Sequence, residues 1–272
     1  MRKGAISDSP GIYDLIGTGY NNTRKADPFI SERLLELLAP MAGETYLDIG
    51  CGTGNYTMAM AGEGYAFYGV DPSVPMLGEA RLKSSKVHWV QGSSEKIPFA
   101  DSFFAGAMAT LTIHHWKDLN RSFAELSRVL KPNSRLVVFT SLPEQMNGYW
   151  LNHYFPEMMK DSIVRMPALD VLISASSSAR LRLAKREKYF VHDTLEDLFL
   201  YAGKHHPEIY FDPVVRGGMS SFTALSNKDE VTAGLQHLRK DLDKDQFKTV
   251  KQQYANDLGD YSFFSFIKET AP

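Results

Sequence analysis

The 272-residue chain holds a single cysteine, Cys51, so it cannot close a disulfide within itself. That thiol lies inside a glycine-rich turn, where a small, soft side chain suits close packing better than nucleophilic work. No apolar run approaches the ~18–20 residues needed to span a bilayer. The amino terminus lacks the pattern of a secretory signal. Together these absences predict a cytoplasmic protein. Charge of one sign is missing too: 30 Lys and Arg face 32 Asp and Glu, a net −2, so no global basic field invites nucleic acid. There is no internal repeat and no low-complexity tract long enough to be a linker. What remains, 43% apolar and 12% aromatic, can bury one sizeable core.

The most informative stretch is Tyr46-Leu47-Asp48-Ile49-Gly50-Cys51-Gly52-Thr53-Gly54-Asn55-Tyr56-Thr57, a short buried strand, a glycine turn and the start of a helix. Gly50, Gly52 and Gly54 permit positive φ and let a ligand lie on the main chain. Dinucleotide-binding dehydrogenases space their glycines as G-x-G-x-x-G. Here the pattern is G-x-G-x-G, with Asn55 where the last dehydrogenase glycine would fall. Asp48 would repel a diphosphate and attract an ammonium group. An acid before G-x-G-x-G resembles the first motif of the class I S-adenosylmethionine-dependent methyltransferases, in particular the small-molecule, ubiquinone/menaquinone-methyltransferase-like branch. The resemblance covers most of residues 40–140.

About 20 residues further on, Ala66 to Asp71 reads as a second strand ending in an acid, which can accept from both ribose hydroxyls. Asp71 is thus the ribose candidate. The resemblance makes Pro72 and Met76 part of the segment opening the next helix, with Met76 against the adenine; ordinary core packing is the alternative. A third strand, beginning at Val87, runs into a polar loop with Ser93, Ser94 and Glu95. The family often has an aspartate where Ser93 stands. A hydroxyl can accept the same adenine hydrogen bond more weakly, or the Ser94 backbone and Glu95 share it.

The fourth strand, from Phe104, ends at Thr110 and leads to the pair His114-His115. Ligands in open α/β sheets bind beyond the carboxyl ends of the strands, so these histidines arrive near the reacting methyl. With a pKa near its usual ~6.5, either could take a proton from an acceptor; packing beneath the loop is the alternative. Leu119, Phe123, Leu126 and Leu130 give the next segment an amphipathic helical rhythm, ended by Pro132-Asn133, before a strand from Arg135 to Thr140. Four strands each followed by a helix predict an α/β, Rossmann-like, doubly wound sheet. Completed as in the family it has seven strands, mostly parallel with an antiparallel last strand, plus helical lid insertions.

One domain is expected over residues 1–272: an arm at 1–39, a cofactor core at 40–144, caps at 145–185 and 192–258, and last strands at 186–191 and 260–267. By resemblance, Tyr20 and Arg24 of the arm contact the methionine carboxylate or the substrate; the alternative is that Tyr13 and Tyr20 only pin the arm to the sheet. Aromatics crowd the caps, among them Tyr149, Trp150, Tyr154, Phe155, Phe199, Tyr201, Tyr210 and Phe211, as cap core or as a lid over an apolar pocket. The basic run Arg180, Arg182, Lys185, Arg186 and Lys188 reads as a solvated helix end, or as an anchor for an anion. Adjacent His205-His206 lack helical ligand spacing, and no metal is expected. The Asn/Asp-Pro-Pro-Tyr/Phe motif of amino-methylating nucleic-acid enzymes is absent.

The expectation is therefore an S-adenosylmethionine-dependent methyltransferase acting on a small molecule, oxygen weakly favoured over carbon or nitrogen because of the paired histidines. A cofactor-binding regulator of the same fold is the alternative. Glycine spacing disfavours a nicotinamide enzyme.

Overall fold

The computed structural model describes residues 23–270, so Tyr13 and Tyr20 lie outside the described residues. Helix α1 (Pro28–Leu38) starts where Asp27 accepts from the Ile30 amide at 3.0 Å and Pro28 presets the first turn. The sheet follows: β1 (Thr45–Ile49), α2 (Asn55–Gly62), β2 (Ala66–Asp71), α3 (Val74–Lys83), β3 (His88–Gln91), β4 (Phe104–Thr110), α4 (Leu119–Val129) and β5 (Leu130–Thr140). After helices α5 (Pro143–Asn147), α6 (Leu151–Tyr154), α7 (Pro156–Val164) and α8 (Leu169–Ser178) come β6 (Leu181–Tyr189), a second helical stretch and β7 (Tyr261–Lys268). That stretch carries α9 (Pro213–Gly217), α10 (Ser220–Ala224), α11 (Lys228–Asp243) and α12 (Phe247–Gln253).

Strand order is β3-β2-β1-β4-β5-β7-β6. β1 pairs parallel with β2 and β4, and β5 parallel with β4, while β7 runs antiparallel to both β5 and β6. The expected seven-stranded, mostly parallel sheet is what forms. Strand alternation divides the core into two layers: Tyr46, Met108, Val137 and Phe139 face α1 and the caps, and Leu47, Ala107, Leu136 and Val138 face α4 and α8.

Four expectations are corrected. β3 is followed by a loop, not a helix, which carries the chain straight to β4. Pro132 and Asn133 lie inside β5, not at a helix end; α4 stops at Val129, and Asn133 takes the kink with φ 62. The sixth strand spans Leu181–Tyr189 and not 186–191, while the last, Tyr261–Lys268, lies one residue from the expected 260–267. The basic run is consequently not a helix end. Arg182, Lys185, Arg186 and Lys188 sit on edge strand β6, where Arg182 pairs with Glu269 and Arg186 with Glu144, both at 3.5 Å. Charge on an exposed edge discourages pairing with other chains.

The caps dock through polar clamps. Gln145 on α5 donates to the Tyr261 carbonyl at 2.9 Å and the Leu258 carbonyl at 3.1 Å, and Lys204 meets Asp260 at 2.6 Å. Most of the aromatics form cap core: Tyr149 stacks on Tyr201 with centroids 3.9 Å apart, and Trp150 is fully buried among Tyr154, Tyr210 and Phe247. His205 and His206 hydrogen-bond the carbonyls of Val191 and Asp193 at 2.7 and 3.2 Å.

Candidate active site

The carboxyl ends of β1, β2 and β4 meet where strand order reverses direction, the usual ligand crevice of such sheets. The three turn glycines all have positive φ, 74°, 55° and 79°, yet they serve two purposes. A β-carbon on Gly50 would collide with the Thr112 side chain and one on Gly54 with the Trp89 ring, so these two are dictated by packing. Only at Gly52 would a β-carbon meet nothing within 4 Å. The expectation that all three glycines clear space for a ligand is corrected for two of them: Gly50 and Gly54 let the turn lie close to the sheet, and of the three Gly52 alone leaves its α-carbon face open.

Asp71 organises this turn directly. One carboxylate oxygen accepts from the Gly52 amide at 2.8 Å and the other from the Ser73 amide at 2.9 Å. A carboxylate has about four acceptor positions, enough to serve several donors at once. Asp48 is buried at the end of β1, with Oδ2 accepting from Thr57 at 2.6 Å. Its Oδ1 is buried without a hydrogen-bond partner among the described residues, as is Thr110 Oγ1. Burial raises the Asp48 pKa to about 7, opposed by the Thr57 hydrogen bond and reinforced by the Asp71 charge. Burial likewise pushes the Cys51 thiol well above its usual range, keeping it protonated.

A cavity of about 650 Å³, open at its mouth, collects Arg24, Asp48, Gly50, Cys51, Gly52, Asp71, Met76, Thr110 and His115. Of the remaining expected residues, Gly54 underlies the turn on Trp89, and Pro72 accepts from Gln91 at 3.3 Å. Ser93 bridges to Lys96, and the buried Ser94 hydroxyl accepts from Ser122 at 2.9 Å. None of these four lines the cavity.

A second cavity of about 730 Å³ adjoins the first, sharing Arg24, Leu111 and His115 with it. Apolar side chains, Met146, Met166, Phe199, Leu200, Met219 and Leu225 with Tyr261, supply most of its surface; Thr140, Ser141, Ser162, Ser220 and Ser221 add hydroxyls, and His114 and Arg165 add further polarity. Leu111, between the cavities, holds a left-handed φ of 54° while its amide donates to the Phe139 carbonyl at 2.8 Å. His114 and His115 lie on the short 3₁₀ turn Ile113–His115 with ring centroids 3.8 Å apart. Desolvation lowers the pKa of both, aided by the Arg165 charge, well below the usual value for His114 and to about 4 for His115. The expectation of a histidine titrating near its ordinary value is therefore corrected: both rings are neutral at physiological pH and are weak bases. His114 Nδ1 has no hydrogen-bond partner among the described residues.

Several contributors lack a local sequence signal. Asp197, from the second cap, binds Arg24 through both oxygens, with Nη2 at 3.1 Å, and accepts from Tyr56 at 3.1 Å. Lys83 Nζ donates to the Thr53 carbonyl at 3.1 Å and to Asn55 Oδ1 at 2.7 Å, bracing the glycine turn from α3. Arg165 is delivered by the first cap, 50 residues of chain away from His115.

This arrangement agrees with the comparisons to known proteins. The methyltransferase-domain family matches residues 47–138. A crystal structure described as a methyltransferase from an antibiotic biosynthesis pathway of Anabaena variabilis is 32% identical, covering 90% of this chain and 98% of that one with a TM-score of 0.80. The chain belongs to the class I S-adenosylmethionine-dependent methyltransferases. Among curated relatives, a demethylmenaquinone methyltransferase of Beutenbergia cavernae is 26% identical over 176 residues, 61% of this chain and 73% of that one. A malonyl-[acyl-carrier protein] O-methyltransferase of Erwinia pyrifoliae is 30% identical over 171 residues, 61% and 63% of the two chains.

The protein is an enzyme of this class, and S-adenosylmethionine is its cofactor. The residues present fit it: the unpartnered Asp48 oxygen suits an ammonium, Asp71 a diol, and the bare face of Gly52 a ligand lying on the backbone. No described helix is long and apolar enough to cross a membrane.

Proposed function

We propose that the enzyme methylates a small, largely apolar acceptor bearing an acidic oxygen, by in-line transfer, with the acceptor held in the second cavity. The observation that carries this reading is the composition of that cavity, an apolar wall with the Arg165 guanidinium beside two neutral imidazoles. When bound, S-adenosylmethionine supplies a sulfonium methyl already activated for transfer, so positioning and exclusion of water are the protein's main tasks. Asp48, Gly52, Asp71, Met76, Thr110 and Arg24 are assigned to holding it. Asp197 fixes Arg24 in the partition between the cavities.

A carboxylic acid or acidic phenol enters such a site already ionised, and a nearby guanidinium favours that anion. His114 and His115 then orient the oxygen and need not remove a proton. Oxygen is accordingly preferred over nitrogen. A carbon acceptor conjugated to an ionised hydroxyl is a second reading, favoured by the quinone-acting relative. Localisation is proposed to be cytoplasmic.

Calorimetric titration with S-adenosylmethionine and its demethylated product, followed by a screen of aromatic and aliphatic acids, phenols and quinols read by mass spectrometry, tests the assignment. Micromolar cofactor binding with methyl ester or ether products is expected, and products methylated only on nitrogen would overturn it. His115→Gln should slow transfer to an acidic acceptor less than about tenfold, against the 10²–10⁴-fold typical of a lost general base.

A further inference from the structure

Outside the cavities, His153 at the end of α6 faces His237 and Asp241, which lie one turn apart on α11. One ligand atom from each residue falls within a sphere of mutual separations no larger than 4.8 Å. We propose that this junction is a binding site for a divalent transition ion of the zinc class, with His153, His237 and Asp241 as its protein ligands.

Chemistry and geometry point the same way. Two imidazoles and one carboxylate are a donor set suited to zinc, leaving a fourth position for water. Donors at ~2.1 Å from a tetrahedral ion stand about 3.4 Å apart. His237 Nε2 and Asp241 Oδ2 are separated by 3.4 Å. The His153 and His237 rings lie 5.1 Å apart across the junction.

The surroundings orient the carboxylate. Asp241 is buried and accepts from the Tyr154 hydroxyl at 3.1 Å. A carboxylate steered by a second hydrogen bond is how metal ligands are commonly held. A helical His237–Asp241 pair alone would leave His153, a second imidazole facing the first, without a role.

The location gives the ion a consequence. α6 belongs to the first cap segment and α11 to the second, and both segments wall the acceptor cavity. An ion shared between them is a staple across the two caps, independent of what the cavity accepts.

The test uses the full chain, stripped with chelator and titrated with zinc chloride alone. One equivalent should bind saturably, and at a hundredfold excess over its dissociation constant the melting temperature should rise by about 5 °C. His153→Gln and His237→Gln, at half-buried and exposed positions, should each weaken binding about a hundredfold while circular dichroism stays native. Tyr154→Phe should weaken it about tenfold. Hydrogen exchange in both α6 and α11 should slow when zinc is added. Absence of saturable binding overturns the proposal, as does unchanged affinity in both histidine variants. Loss of binding in His205→Gln/His206→Gln or Cys51→Ala, with the junction intact, also overturns it.

Discussion

The two cavities are neighbours built by opposite strategies. The cofactor side is made largely of contiguous turns at strand ends, where backbone amides, one bare glycine and two carboxylates define the ligand. The acceptor side is assembled mainly from side chains carried by α5, α7, α10 and the loops around them, closed by strand-end residues such as Leu111, Thr140 and Tyr261. A site made from the main chain is constrained by what the fold permits. One made from side chains on inserted helices can be changed residue by residue without disturbing the sheet.

The contrast is sharpest within the glycine turn itself. Gly50→Ala forces a β-carbon into Thr112 at a positive φ, and should cost about 3 kcal/mol or more of stability and abolish cofactor binding. Gly52→Ala meets no protein atom, and should cost only about 1 kcal/mol while weakening the cofactor at least about tenfold. Thermal melts beside calorimetry separate the two. Equal destabilisation would mean that the division of labour among the glycines is misassigned.

Asp71→Ala should weaken S-adenosylmethionine by ~1.5–3 kcal/mol, roughly 10- to 150-fold. Because Asp71 also accepts from Gly52 and Ser73, melting should drop as well. Unchanged calorimetric affinity in a folded variant would remove the ribose role. On the acceptor side, Arg165→Gln should raise KM for an acidic acceptor about tenfold with cofactor affinity unaltered, since Arg165 lines only the second cavity. A matching loss of cofactor affinity would break the comparison.

The smallest effect is a proton. Asp48 titrates at about 7 in the free protein, above its unfolded value of ~3.9, so between these pH values the folded state holds a proton the unfolded state has lost. Its contribution to stability therefore falls as pH rises from about 4 to 7 and levels off above. A bound ammonium favours the carboxylate. At pH 6, cofactor binding should thus release about one proton, measurable from calorimetry in buffers of different ionisation enthalpy, and Asp48→Asn should remove that release.

The sheet and half of the first cavity's lining could be read from sequence because local grammar specifies them. Asp48, Gly52 and Asp71 are tied to strand ends by short-range geometry, and apolar alternation announces the strands. Lys83 and Asp197 could not be found this way. Each reaches the turn or the arm across 28 residues or more, and no periodicity encodes which distant polar group will arrive. The basic run was misread because Leu181 and Leu183 supply the period-two signal of an edge strand only weakly beside five cations. The titration of His114 and His115 is not legible in the sequence, because burial and the charge of Arg165, 50 residues or more away in the chain, are tertiary facts.

Leu111 separates stability from usefulness. A left-handed backbone costs a non-glycine residue about 1–2 kcal/mol, and a search for thermostabilising substitutions would offer glycine there at once. The same change would delete the one apolar side chain that, among the described residues, is common to both cavities, and would merge them into one larger, wetter space. Leu111 also packs against the core, so lost burial offsets the relieved strain and Leu111→Gly gains no heat resistance while it holds its acceptor less selectively; the strained backbone is kept for the side chain it presents.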